Sequence, residues 1–398
     1  MAIGSRSISS FTVHNRVKIV HGGSEYFRLM LQMIDGAKYT IHLQVYIFED
    51  DETGKQVGDA LMRAAQRGVK VYVLVDGYAS RRLDSDFRER VQAAGVRFSL
   101  FEPFFRSGSF YVGRRLHHKV LVTDSAHALV GGINISDRYN DIRDSAAWLD
   151  WAVYAEGEIS YKVDKFCIEI WRGSTLPREY KEVTFSAPKV EAECLVRMRR
   201  NDWVKRKTEV YRSYMEIFTT AEKQVTLMSG YFWPGQKLLR RMSAAAKRGV
   251  KIRLMLAGVS DIPIAKSAER YVYRRLFKSD IEVYEYQGNV LHGKIAVADT
   301  CFVTVGSYNV NNISAYASLE LNLDIKDDDF AVTVEQKLDK ILQKDCIKIT
   351  EERFIKKYNF IQRMWQRFAF NLVHLIFFLF TFYFQQSAAK RMSRSLKE

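Results

Sequence analysis

AAQRGVKVYVLVDG runs from Ala64 to Gly77, and AAKRGVKIRLMLAG repeats it from Ala245 to Gly258. In both copies an Ala-rich basic run, patterned as a helix, stops at a glycine (Gly68, Gly249) and gives way to a short β-branched and aliphatic run. That order predicts a helix, its C-cap and a buried strand. Working outward, TIHLQVYIF (Thr40 to Phe48) and QVTLMSGYFWP (Gln224 to Pro234) precede the two helices as further strand candidates. Strands alternating with helices predict an α/β fold with largely parallel, mixed sheets and helices packed outside them. The repetition predicts two halves related by a pseudo-two-fold axis in one duplicated sandwich. The polar stretch from Gly173 to Arg206, with Pro177 and Pro188, is the expected linker, dividing a first half at 1–185 from a second at 186–350.

The 398 residues are 47% hydrophobic and 13% aromatic, ample for a core, and 61 Lys and Arg against 46 Asp and Glu leave a net charge of +15. This excess predicts an anionic partner, but nucleic acid, anionic lipid headgroups and phosphorylated substrates all satisfy the same field. The four cysteines form no Cys-x-x-Cys pair and no zinc-type cluster, so reduced thiols and no metal are expected. The first twenty residues lack the continuous apolar stretch of a secretory signal, and a cytoplasm-facing location is expected.

Residues 351–398 differ in kind. FAFNLVHLIFFLFTFYF, from Phe368 to Phe384, is as apolar as a membrane segment but shorter than the ~20 residues a spanning helix wants, and it includes Asn371 and His374. Basic residues lie on both sides, so an interfacial or re-entrant anchor through about 366–384 is favoured over a single spanning tail.

The chemistry is carried by a second repeat. LHHKVLVTDSAHALVGGINIS (Leu116 to Ser136) is matched by LHGKIAVADTCFVTVGSYNVN (Leu291 to Asn311). One interval of 175 residues separates His117 from His292, Lys119 from Lys294, Asp124 from Asp299 and Asn134 from Asn309. Residues two apart on a strand project from one face, so each histidine shares a surface with an ammonium. Asp124 and Asp299 fall at odd offsets, near strand ends. Packing constrains volume and hydrophobicity more than chemical identity, so a polar triplet kept twice at one spacing points to function.

On these residues the chain resembles the phospholipase D superfamily, whose signature is a doubled His-x-Lys-x4-Asp element followed by Gly-Gly or Gly-Ser and an Asn. The likeness covers most of 17–345 and includes Tyr231, Phe232 and Pro234. Within the superfamily, YIFEDDETGKQVGDAL (Tyr46 to Leu61) and the second motif look like bacterial cardiolipin synthases.

The resemblance implies a duplicated phospholipase D-like α/β/α sandwich and a cofactor-free, two-step phosphatidyl transfer through a phosphohistidine. It makes His117 the nucleophile and His292 the acid and base, with Lys119, Lys294, Asp124 and Asp299 completing the motifs. Asp150 and Glu320 are the candidate carboxylates behind the imidazoles. Asn134 and Asn309 would contact phosphate or hold loops, and Arg114 and Arg115 would bind a second phosphate or stand as solvated charges. The implied substrates are phosphatidylglycerol and a second phospholipid such as phosphatidylethanolamine, met at the cytoplasmic face of a bacterial inner membrane. Hydrolysis to phosphatidic acid shares the same site, and a nuclease of the superfamily suits the charge but not the Phe-rich tail. No Gly-rich nucleotide loop and no Gly-x-Ser-x-Gly elbow is present.

Overall fold

The computed structural model describes residues 11–101, 114–142, 145–173, 180, 183, 185–188, 190–202, 205, 207–311 and 318–375. The first half runs β1 (Asn15–His21), α1 (Ser24–Gly36), β2 (Thr40–Val45), α2 (Glu52–Gln66), β3 (Lys70–Asp76), α3 (Ser85–Ala93), β4 (Arg97–Phe101), β5 (Arg115–Leu116), β6 (Lys119–Thr123), β7 (His127–Gly131), β8 (Trp151–Gly157) and α4 (Glu158–Arg172). The second runs β9 (Leu195–Asp202), β10 (Lys207–Thr208), α5 (Glu209–Thr220), β11 (Gln224–Ser229), α6 (Gln236–Lys247), β12 (Lys251–Ala257), α7 (Pro263–Phe277), β13 (Glu282–Tyr286), β14 (Lys294–Ala298), β15 (Phe302–Gly306), β16 (Ser318–Lys326), α8 (Asp328–Asp345), β17 (Cys346–Ile349) and α9 (Glu351–Lys357). A further helix occupies 360–375.

The quoted repeat folds as its pattern predicts. Gly68 and Gly249 follow α2 and α6 with φ of +90° and +93°, the left-handed turn a helix C-terminus needs, and β3 and β12 start two residues later. One sheet has the order β1-β8-β7-β6-β2-β3-β4, and the other contains β15-β14-β11-β12-β13 in the corresponding places, between β10-β9-β16 and β17. The sheets are mixed, but the expectation of largely parallel pairing is corrected. Among the described strands, parallel ladders are those of β2-β3-β4, β11-β12-β13 and the short β5-β16 contact, and the other ladders are antiparallel. The cause is a tight turn in each half. Asp124 and Ser125, and likewise Asp299 and Thr300, take φ between +51° and +55°, folding β6 back on β7 and β14 on β15.

Alternate residues of each central strand go to different cores. Val71, Val73 and Val75 of β3 pack under α1, α2 and α3, whereas Tyr72 and Leu74 enter a core shared with Met255, Ile295 and Val297 of the other half. Both sheets are buried on both faces, which is why their strands read as continuous apolar runs. The shared core, to which α4 and α8 also contribute, holds the halves in one fixed relation.

Two buried histidines belong to this scaffold. His42 stacks on Tyr72 at 4.8 Å, and the Nε2 of His118 lies 2.8 Å from Gln44 Oε1. Burial lowers both imidazoles from 6.5 to about 3. As pH falls below 6.5 the unfolded chain therefore takes up protons that the folded chain refuses, and stability is lost on the acid side. His42→Phe is expected to flatten that loss by about 1.4 kcal/mol per pH unit between pH 6 and 4, read from urea midpoints. Parallel curves for variant and parent would refute this.

Candidate active site

Each motif histidine is held by the opposite half. β5 leaves its own sheet to pair with β16, so that His117 N–H donates to Leu319 O at 3.0 Å. In the other direction His292 N–H donates to Leu149 O at 2.8 Å. Both imidazoles thus stand on the seam between halves, at the ends of β6 and β14. The i, i+2 spacing does what strand geometry requires. Lys119 Nζ turns back to donate to His117 O at 2.5 Å, and Lys294 Nζ donates to His292 O. Both ammonium groups are buried.

The carboxylates cross over. His117 Nδ1 lies 2.9 Å from Glu320 Oε2, and His292 Nδ1 lies 2.6 Å from Asp150 Oδ2, so each imidazole takes its acidic partner from the other half. An ionised carboxylate can only accept, so Nδ1 carries the proton in both rings and Nε2 keeps its lone pair. Lys294 Nζ, 2.9 Å from His292 Nδ1 and 3.8 Å from Asp150, then acts on that ring through charge rather than as a donor to it.

The residues after the motif glycines fit this difference. A Cβ at Gly132 would lie 2.4 Å from an Asp150 carboxylate oxygen, whereas Ser307, its counterpart, donates Oγ–H to Glu320 at 2.5 Å. Gly132 therefore leaves room for one carboxylate, and Ser307 tethers the other.

The charges form one system. Burial lowers His117 below its ordinary pKa against the pull of Glu320, with Lys119 and Lys294 adding to the fall. Burial also lowers His292, with Lys294 and Lys119 in the same direction and Asp150 opposing. Lys119 is pushed down to about 7, first by burial and then by Lys294. Each half's ammonium thus acts on the imidazole of the other. A phosphate between them would favour the charged form of both lysines.

The structure does not bring Asp124 and Asp299 to the imidazoles. Each lies at the far end of its strand, Asp124 about 16 Å along the chain from Lys119. Asp124 accepts from the backbone N–H groups of Lys38, Tyr39 and Thr40, and Asp299 from those of Glu222, Lys223 and Gln224, all at 2.8–2.9 Å. Their expected place among the reacting groups gives way to that of hairpin anchors. Arg114 and Arg115 are likewise corrected, as neither solvated charges nor an open phosphate cradle. Both are largely buried and paired with carboxylates, Arg114 with Asp202 at 2.9 Å and Arg115 with Asp76 at 3.3 Å.

The two asparagines differ. Asn134 is fully used in the loop, accepting from Ile47 N–H and donating to Tyr139 Oη, while Asn309 is buried with its Oδ1 unpartnered among the described residues.

Four aromatic residues around the rings were not assigned to the site from sequence. The Tyr46 ring centroid is 4.8 Å from that of His117 and 5.1 Å from Lys119 Nζ. Tyr139, Trp148 and Tyr231 stand 5.3, 6.0 and 6.4 Å from His292. A signal existed for two of them, since Tyr46 and Tyr231 each follow the end of the corresponding strand, β2 or β11. His292 is the more enclosed ring, 8% exposed against 15% for His117.

Two duplicated α/β halves with paired His-Lys groups on their seam define a phospholipase D-type architecture. The fold is that of the solved phosphatidylserine synthase of Haemophilus influenzae Rd KW20, with a TM-score of 0.75 over 94% of this chain and 98% of that one, at 15% identity. The family model described as "Cardiolipin synthase, PLD-like domain" matches residues 30–171 and 214–342. Cardiolipin synthase B of Shigella flexneri is 34% identical over 349 residues, 86% of this chain and 84% of that protein. The protein of the same name from Salmonella typhimurium is 34% identical over 352 residues. The chain belongs to the cardiolipin synthase family of phospholipase D-like proteins.

Proposed function

We propose that this protein is a cardiolipin synthase, moving a phosphatidyl group from one phospholipid to phosphatidylglycerol. The observation that carries the reading is the crossed pair of imidazoles, each with a lone pair at Nε2, a buried carboxylate behind it and a buried ammonium beside it. In the first step Nε2 of His117 attacks the phosphodiester phosphorus. The bound phosphodiester anion favours proton uptake at His292 Nε2, so that ring enters the step as the imidazolium. The bond from phosphorus to the leaving alkoxide breaks, and that oxygen takes the Nε2 proton. In the second step His292 accepts the proton of an incoming phosphatidylglycerol hydroxyl. Its oxygen bonds to phosphorus and the P–N bond to His117 breaks. Lys119 and Lys294 offset the charge that builds on the phosphoryl oxygens. Asn309, whose Oδ1 is unpartnered among the described residues, accepts from the second glycerol hydroxyl of the incoming alcohol and orients it. Asp150 raises the basicity of His292 and Glu320 that of His117.

The membrane surface is the proposed working place, reached through 366–384, with the site on the cytoplasmic side of a bacterial inner membrane. Residues 376–398 lie outside the described residues, and no described helix is long and apolar enough to cross a membrane. Incubation of the purified protein with phosphatidylglycerol, with and without phosphatidylethanolamine, is expected to yield cardiolipin by mass spectrometry. Phosphatidic acid as the sole product would replace transfer by hydrolysis, and release of nucleotides from DNA with no lipid product would overturn the reading.

A further inference from the structure

The helix at 360–375 has two faces. Ala369 and Gln366 are buried, and the Phe370 ring lies 4.8 Å from that of Tyr271 on α7, so this side rests on the second half. Phe360, Ile361, Met364, Trp365, Phe368 and Leu375 remain 51–75% exposed. At 100° per residue they fall within an arc of roughly 140°, turned away from the side that meets the protein. So many large apolar side chains on one exposed arc require a partner.

Charge identifies it. From Arg353 to Lys397 the chain has nine Lys and Arg and no Asp or Glu, and Arg363 and Arg367 border the apolar arc. Toward the C-terminus the sequence continues as IFFLFTFYF (376–384), where the apolar pattern no longer spares any side. An aromatic-rich arc edged by arginines suits the boundary between headgroups and acyl chains of an anionic bilayer.

We infer that the helix at 360–375 is an in-plane docking surface for an anionic lipid bilayer, with its outer arc in the acyl boundary. This rests on the lipid reading above and extends it upstream of 366, to a helix that includes the start of the Phe-rich segment. α7 ties this surface to the site. Just ahead of α7, Val259 and Ile262 are exposed, and the intervening Asp261 accepts from Tyr231 Oη at 2.6 Å. Within α7, Glu269 accepts from Phe232 N–H at 3.2 Å, and the Tyr231 ring stands near His292. One helix of about 22 Å therefore carries the docking surface and the rim of the site together.

The test keeps the full chain and substitutes Met364→Glu, Trp365→Glu and Phe368→Glu together. Flotation is measured with phosphatidylcholine vesicles and with vesicles of phosphatidylcholine and phosphatidylglycerol in equal amounts. Partitioning to the mixed vesicles is expected to fall at least about tenfold. Arg363→Glu with Arg367→Glu is expected to lower binding to the mixed vesicles by roughly tenfold and leave that to phosphatidylcholine unchanged.

Melting temperature should not move, because the substituted side chains are exposed. Transfer on a short-chain phosphatidylglycerol below its micelle concentration should persist in the triple variant. Wild-type flotation by the triple variant would overturn the inference. So would a wild-type dimer that the triple substitution dissociates without changing flotation, since the arc would then be covered by a second copy. Failure of the parent on every lipid substrate would instead remove the proposed function, and the flotation result would stand separately.

Discussion

His292→Ala is expected to lose phospholipid transfer by about two to four orders of magnitude and still become phosphatidylated on His117 when the leaving group is a nitrophenolate. A poor alkoxide leaving group needs the proton that His292 delivers. A nitrophenolate leaves without one, so the first step survives while the second, which needs a base for the incoming hydroxyl, stalls. Radiolabel from a nitrophenyl-activated phosphatidyl donor should accumulate on the variant to near one per chain. His117→Ala should take up no label from the same donor. The greater exposure of His117 fits an attacking group, and the aromatic enclosure of His292 fits one that handles protons away from water. Label retained by His117→Ala would reverse the assignment.

Much of this was legible in the chain because both repeats encode local geometry. Glycine after a basic helical run sets a C-cap, and His-x-Lys on a strand sets two side chains on one face, whatever lies elsewhere. Antiparallel return after β6 and β14 was not legible, because the turns use Asp-Ser and Asp-Thr where a hairpin usually signals itself with glycine. The role of Asp124 followed the same concealment. A carboxylate spaced regularly from a histidine looks catalytic in one dimension, but five residues of extended strand carry it to the other end of the sheet, where three backbone N–H groups await it.

Arg114 and Arg115 misled for a related reason. Their partners, Asp202 and Asp76, lie 88 and 39 residues away, and nothing local marks them. Asp150 and Glu320 could be picked out as acids in strand-like contexts, but not assigned to a ring. They are 170 residues apart and so break the 175-residue interval. The crossing depends on the seam, where a two-residue strand of one half joins the sheet of the other.

That crossing makes a sharp demand on Asp150→Asn and Glu320→Gln. An amide can donate where the carboxylate could only accept, so Nδ1 is driven to give up its proton and Nε2 loses the lone pair the chemistry needs. In serine proteases the equivalent change costs about 10⁴-fold in kcat, and a loss of about 10²- to 10⁴-fold is expected for each variant here. The two should nevertheless fail differently. Asp150 lies in the first half but faces His292, so Asp150→Asn should behave as a weaker His292→Ala, taking label from the activated donor and failing to discharge it. Glu320 lies in the second half but faces His117, so Glu320→Gln should label slowly or not at all. Melting temperatures measured alongside separate this from simple loss of packing, which would lower both steps in both variants. If each carboxylate served the histidine of its own half, the two phenotypes would be exchanged, and the labelling gel would read in the opposite order.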